Sequence, residues 1–386
     1  MRKAGRVSTL TSFKVVDVLE AVEHLQSQGR DIVRLEAGQP AFATPARVVE
    51  ATRRALAEER TRYTPALGIE ALREAIADFY RWRHGLTLDP ARIAVTTGSS
   101  AALALLGDLL IEPGDGVVLT DPGYPCNANF VRRAGGEPQW IPVVAEEGYR
   151  LSAAAVAGHW RANTVSAWVA SPANPTGAVL AADALGELAA EVSRRRGTLV
   201  VDEIYHGLIY DGPETSVLEV ATDAFVINSF SKYFGMTGWR LGWLVAPQAA
   251  MGDLNTLAQN FYISPPSIAQ HAALAALHPE VIAELEARRE ELRRRRDFLV
   301  AALRELGFAI PWVPAGGLYV YAGIDGLADD SEAFCREMLE RAGVAFTPGT
   351  DFGAHRARQC VRFSYTEPLP RLELAVERLR LELARR

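Results

Sequence analysis

Lys232 is one of only three lysines in a chain of 386 residues, the others being Lys3 and Lys14, while arginine supplies the rest of the fixed basic charge. A composition that favours arginine almost everywhere has kept a primary amine at this position. An amine condenses with a carbonyl to form an imine, which a guanidinium does not do. Around it, Asn228-Ser229-Phe230-Ser231-Lys232-Tyr233-Phe234-Gly235-Met236-Thr237-Gly238-Trp239-Arg240-Leu241-Gly242 supplies hydroxyls, bare glycine backbone and a fixed positive charge. Together these can hold a phosphate beside an aldehyde-reactive lysine.

Other segments carry matching chemistry. Thr97-Gly98-Ser99-Ser100-Ala101 reads as a strand-to-helix turn: Gly98 permits close approach, and Ser99, Ser100 and the free N–H groups of the helix face an anion. Val200-Val201-Asp202-Glu203-Ile204-Tyr205 brings an acid to the end of an apolar strand, where a carboxylate needs a cationic partner. Ser171-Pro172-Ala173-Asn174-Pro175-Thr176-Gly177 is a turn ending another buried strand and presenting the Asn174 amide. In Val361-Arg362-Phe363-Ser364-Tyr365 the planar fork of Arg362 suits a two-pronged grip on a carboxylate.

The pattern Ser-x-Ser-Lys-x-x-Gly-x-x-Gly-x-Arg-x-Gly resembles the cofactor-lysine segment of the class I/II pyridoxal-phosphate aminotransferases of fold type I. The other segments match that family in the same order over nearly the whole chain. The resemblance implies pyridoxal 5'-phosphate as cofactor and Lys232 as catalytic residue, first holding the cofactor aldehyde and then carrying the substrate α-proton. It also implies a cofactor site of Gly98, Ser99, Ser100, Tyr124, Asn174, Asp202, Tyr205, Ser229, Ser231, Lys232 and Arg240. In that site Tyr124 of Asp121-Pro122-Gly123-Tyr124-Pro125 stacks on the ring, Asn174 and Tyr205 meet its phenolic oxygen, and Asp202 pairs with its protonated nitrogen. Substrate falls to Gly38, Asn174, Arg362 and Phe13, with Arg362 on the α-carboxylate. Tyr63, in Tyr63-Thr64-Pro65-Ala66-Leu67-Gly68, is expected to reach the partner's cofactor phosphate, which makes the protein a homodimer with shared sites. The turn Gly38-Gln39-Pro40 departs from the family's Gly-Glu-Pro-Asp-Phe, with Gln39 and Ala41 in place of the two acids.

The elements that must position these groups follow from periodicity. Helical spacing marks 14–28, Pro45–Glu59, Glu70–Trp82 and Pro279–Leu306, with a short strand at Ile32–Leu35. From Ile93 the chain alternates short β-branched runs with helices: strands at Ile93–Thr97, Val117–Thr120, Ser166–Ala170, Thr198–Asp202, Phe225–Asn228 and Leu241–Val245, with helices at Ala101–Leu110 and Ala182–Arg195. This predicts an α/β fold with a mostly parallel sheet covered on both faces, its ligands collecting at the carboxyl ends of the strands. Further strands near Leu318–Tyr321, Val344–Thr347 and Cys360–Ser364 belong to a smaller lobe. The expected division is 45–280 for a large cofactor-binding domain, and 1–44 with 281–386 for a small domain built from both chain ends.

The chain is about half apolar and carries a net charge of −6 with both signs interspersed, which argues against nucleic acid or an anionic membrane as a partner. Three widely spaced cysteines and scattered histidines suggest neither a disulfide framework nor a protein-bound metal, and fit a reducing cytoplasm. No leader or membrane-spanning run is legible. The expected activity is ping-pong transfer of an amino group between an α-amino acid and a 2-oxo acid. A lyase or cyclase on the same site is the alternative, and a non-catalytic ligand sensor on the same fold a remote one. The segments expected at the distal end of the pocket offer Phe13, Tyr63, Asn127, Asn260, Phe261 and Tyr262 and no arginine, so a neutral donor, aromatic or polar and uncharged, is expected.

Overall fold

The computed structural model describes residues 1–385 and, for Arg6, the backbone alone. Helix Lys14–Ser27 leads into a two-residue strand, β1 (Val33–Arg34), and helices Ala46–Ala57 and Glu70–His84 follow. Seven strands come next: β2 (Ile93–Thr96), β3 (Gly116–Asp121), β4 (Glu137–Pro142), β5 (Thr164–Ala170), β6 (Thr198–Asp202), β7 (Phe225–Ser229) and β8 (Gly242–Val245). They form one sheet in the order β2-β8-β7-β6-β5-β3-β4. Every neighbouring pair is parallel except those of β8, which runs against both β2 and β7. The expected mostly parallel sheet is therefore present. Most strands are buried on both faces, as their unbroken apolar sequences require, and helices such as Gly98–Leu110 and Ala182–Arg194 cover them.

Two smaller sheets complete the fold, one of which joins opposite ends of the chain. After the long helix Pro279–Glu305 come β9 (Tyr319–Gly323), β10 (Val344–Ala345), β11 (Thr347–Pro348) and β12 (Cys360–Ser364). β1 pairs in parallel with β10, while β11, β12 and β9 form an antiparallel sheet in that order. The stretch read as a single strand over Val344–Thr347 is thus two short strands in two different sheets. A residue in the middle, Phe346, is fully buried against Phe363 at 4.4 Å between ring centroids. Helix Gly98–Leu110 starts three residues before the predicted Ala101, so Ser99 and Ser100 lie in its first turn and not in a loop ahead of it. β4, at the sheet edge, and the helices Pro125–Arg133, Met251–Phe261, Ser267–Ala276 and Leu369–Leu383 were not legible as elements.

One buried apolar cluster runs from Val33 and Leu35 through the β5, β6 and β7 interior to Phe363 and Leu379, so the small sheets share a core with one face of the large one. A second, including Leu103, Leu106, Val117 and Leu244, fills the opposite face. Asp121 at the end of β3 also accepts hydrogen bonds from the backbone N–H groups of Ala354 (3.0 Å) and His355 (3.0 Å), tying the loop before β12 to the large sheet.

Candidate active site

The carboxyl ends of β2, β5, β6 and β7 open on one cavity of about 280 Å³, bounded from the far side by residues of the small sheets and of helix Lys14–Ser27. Lys232 stands in the loop between β7 and β8, held in shape by hydrogen bonds from Phe230 N to Leu241 O (3.1 Å) and from Met236 N to Phe230 O (3.0 Å). Its Nζ donates to the carbonyl of Gly38 at 2.8 Å. Burial lowers its pKa, since the desolvated ammonium loses its hydration, and Arg362 and Arg240 lower it further.

One side of the cavity is an anion cradle. Ser99 and Ser100, in the first turn of helix Gly98–Leu110, stand with Ser231, Thr237 and Arg240 along the wall. Gly98 does not line the cavity itself but is required beside it: its φ is +73°, and an added Cβ would sit 2.6 Å from Arg240 Nη2. Arg240 adopts φ +53°, uncommon for a side-chain-bearing residue, and donates to Thr237 O at 3.1 Å. Ser229 lies behind the wall. Its hydroxyl donates to Leu241 O (3.0 Å), accepts from Ser231 N (3.1 Å) and lies 2.9 Å from Ser231 Oγ, so it braces Ser231 and does not face the cavity.

Opposite stand the groups suited to a ring. Asp202 ends β6, one of its oxygens accepts from Ile204 N at 3.0 Å, and burial pushes its carboxyl up to about 6. Among the described residues no arginine pairs with it, and Lys232 is the nearby basic group that acts on it. Tyr124, the residue before helix Pro125–Arg133, lines the cavity and meets Phe13 edge-on at 6.1 Å between centroids. Tyr205 shares a 3.1 Å hydrogen bond with Tyr319. A buried acid without a paired guanidinium, a lysine whose pKa burial lowers, and a serine- and arginine-lined end are what a protonated pyridine ring with an aldehyde and a phosphate would satisfy. The residues present therefore fit pyridoxal 5'-phosphate.

Arg362 projects from β12, 2 % exposed. Nη1 donates to Asn174 Oδ1 (2.9 Å) and Nη2 to the Glu36 carbonyl (2.6 Å) and Thr347 Oγ1 (3.3 Å), while Nε has no partner. A buried guanidinium N–H left open on a cavity wall is a carboxylate subsite in waiting. With the Asn174 oxygen occupied by Arg362, its amide NH₂ is the end left to donate to a ligand.

Of the sequence-expected residues, Gly38, Phe13, Ser99, Ser100, Tyr124, Asn174, Asp202, Tyr205, Ser231, Lys232, Arg240 and Arg362 line this one cavity. Tyr63 does not: it is 80 % exposed on the surface of the single chain. Sequence reasoning missed Tyr319, which carries the Arg362 guanidinium on its ring face. Burial pushes its phenol up, but Arg362 and Lys232 outweigh that and hold it below its usual pKa. It also missed Val15, Leu19 and Thr237. The alternation of β9 put Tyr319 and Tyr321 on one face, but nothing in the sequence said that this face turns to Lys232. The histidines are less scattered than they read. Among the described residues His84, His206 and Glu214 bring ligand-type atoms within 4.8 Å of one another. Glu214 is already gripped by Arg83 at 2.7 Å and His84 by Glu219 at 3.1 Å, so the group is a charge network built on an arginine.

The family model described as "Aminotransferase class I and II" matches residues 30–379. The valine–pyruvate aminotransferase of Mycobacterium tuberculosis is 38 % identical over 369 residues, covering 95 % of each chain. The aspartate/prephenate aminotransferase of Thermus thermophilus is 37 % identical over 383 residues, covering 98 % of each. In three dimensions the chain is similar to the crystal structure of an aminotransferase from Mycobacterium tuberculosis, with a TM-score of 0.96, 38 % identity and full coverage of both chains.

Proposed function

The chain belongs to the class I and II aminotransferases and is a transaminase, and from that premise we propose that it works with pyridoxal 5'-phosphate held on Lys232 in the cavity described above. The net reaction moves an amino group from an α-amino acid to a 2-oxo acid, leaving the donor as its own 2-oxo acid. When bound, the cofactor supplies an aldehyde that takes the amino group and a ring that withdraws electrons from the substrate Cα. The observation that carries the reading is the placing of an unpaired buried acid, Asp202, and a buried amine, Lys232, on one cavity with the open Nε of Arg362.

Each residue then has a task. Ser99, Ser100, Ser231 and Arg240 hold the phosphate, and Gly98 leaves Arg240 the room to do so. With the cofactor bound, Asp202 would keep a proton on the ring nitrogen, Tyr124 would pack on the ring, and Tyr205 and the Asn174 amide would hydrogen-bond its phenolic oxygen. Arg362 takes the substrate α-carboxylate. Lys232, its pKa lowered by burial, removes the proton from the substrate Cα and returns it on the other side of the transfer.

We read the protein as a homodimer. The exposed Tyr63 lies in a segment tied to helix Ser267–Ala276 by Ser267 Oγ to Arg62 O (2.6 Å) and Gln270 Nε2 to Thr64 Oγ1 (2.9 Å), close in the chain to the exposed Phe261 and Ile263. These apolar side chains support a partner surface. Residues 45–280 and the two chain ends serve as large and small domains in this reading. The cytoplasm suits its three free cysteines, and no helix among the described residues is long and apolar enough to cross a membrane. The deciding experiment loads the protein with pyridoxal 5'-phosphate, adds single amino acids and follows the absorbance of the bound cofactor, then adds a 2-oxo acid. Loss of the absorbance that a 2-oxo acid restores is the expected result; a change that no 2-oxo acid reverses would point to a lyase.

A further inference from the structure

The side-chain end of the pocket is built on the first turns of helix Lys14–Ser27. Phe13, Val15 and Leu19 all line the cavity, and Phe13 packs edge-on against Tyr124. At the start of that helix Asp351 Oδ1 accepts from the backbone N–H of Lys14 at 2.8 Å, an anion at a helix N-terminus. The neighbouring Phe352 ring lies 4.7 Å from the guanidinium carbon of Arg362. A substrate whose carboxylate is held by Arg362 therefore extends its side chain beside Phe13, Val15 and Leu19.

The one lysine in this stretch is turned away. Lys14 Nζ pairs with the Glu332 carboxylate and donates to Thr350 Oγ1 at 2.9 Å, and Lys14 does not line the cavity as its neighbours Phe13 and Val15 do. Among the described residues the cations that line the cavity are Lys232, Arg240 and Arg362, and each already has a task in the reading above. Beside Phe13, Val15 and Leu19 a second substrate carboxylate would meet apolar side chains and no cation among the described residues.

We infer that this transaminase selects amino donors with neutral, apolar or aromatic side chains and discriminates against aspartate and glutamate, and that Phe13, Val15 and Leu19 are the residues that select. The inference rests on the transaminase reading of the same cavity. Its test separates the two by measuring binding as well as turnover. Calorimetry on the cofactor-loaded protein compares unreactive carboxylates, 4-methylpentanoate and 3-phenylpropanoate against succinate and glutarate. Kinetics compare leucine, valine and phenylalanine against aspartate and glutamate.

Monocarboxylates binding at least tenfold tighter than dicarboxylates, with the same order in kcat/KM, is the expected result. Leu19→Arg, at a half-buried position that tolerates a longer side chain, is expected to narrow that gap at least tenfold, and Lys14→Ala to leave it unchanged. Succinate binding more tightly than 4-methylpentanoate, or Lys14→Ala abolishing turnover of aspartate selectively, would overturn the inference while leaving transamination intact. Should no amino acid be turned over while the binding order holds, the reaction would fall and the selection stand.

Discussion

The guanidinium carbon of Arg362 lies 3.9 Å from the centroid of the Tyr319 ring, and the Tyr319 hydroxyl is 3.1 Å from that of Tyr205. One side chain thus supports the residue assigned to the substrate carboxylate and touches a residue assigned to the cofactor ring. A desolvated cation over an aromatic face is worth about 2 kcal/mol, which corresponds to roughly 30-fold in binding. Tyr319→Leu is therefore expected to raise KM for the amino donor by roughly that factor with a smaller fall in kcat, whereas Tyr319→Phe keeps the platform and holds KM within about threefold. Equal KM values for wild type and Tyr319→Leu would show that Arg362 needs no platform.

Lys232→Ala is expected to leave the fold intact, as judged by circular dichroism, and to lower turnover by roughly ten-thousandfold, because both the cofactor's anchor and the proton carrier are removed. Lys232→Arg should fail as badly, since a guanidinium neither condenses with the aldehyde nor gives up a proton at neutral pH. A small alkylamine added to Lys232→Ala should restore part of the proton transfer. Near-normal transamination in Lys232→Ala without added amine would remove Lys232 from the mechanism.

For Asp202 the expectation concerns the cofactor-free protein. Burial raises its carboxyl from 3.8 to about 6 in the folded chain. A group whose folded pKa is raised contributes stability that is fully present below its unfolded pKa and is lost as the pH rises through the folded one. The window is therefore about pH 4 to 6, and a shift of about two units amounts to roughly 3 kcal/mol. Measured by denaturant unfolding, wild type should lose roughly that much more stability between pH 4 and pH 8 than Asp202→Asn. Saturation with the cofactor, which brings a ring cation to the carboxylate, should erase most of the difference. Parallel stability curves for the two cofactor-free proteins would mean that Asp202 is already ionised and paired.

The strand-end side of the cavity was legible in the sequence because its residues sit at strand ends, where a short apolar run followed by a polar residue marks both the element and the exit point. Asp202, Asn174 and Ser99 were each found that way. Tyr319 and Thr237 were not, because their roles depend on which face of a short strand or turn meets a partner distant in the chain. The wall formed by helix Lys14–Ser27 was half legible: Phe13 was named, but Val15 and Leu19 read only as the apolar stripe of an amphipathic helix, which they also are. Tyr63 marks a different limit, since its expected role needs a second chain. The exposed tyrosine could be read from the motif, but its destination is not contained in one chain.

The pairing of β1 with β10 joins Val33 to Val344. At synthesis rates of roughly 5–20 residues per second, the strand that Val33 needs leaves the ribosome on the order of 15–60 s after Val33 itself. Through that interval helix Lys14–Ser27 lacks its cap from Asp351, Leu35 lacks the backbone carbonyl of Ala345 to which its N–H donates at 2.8 Å, and the Gly38 turn lacks Tyr319. The seven strands of the large sheet, all between Ile93 and Val245, can be complete well before. The groups that Arg362, Tyr319 and helix Lys14–Ser27 bring to the cavity are thus put in place late in translation, after the strand-end groups of the large sheet.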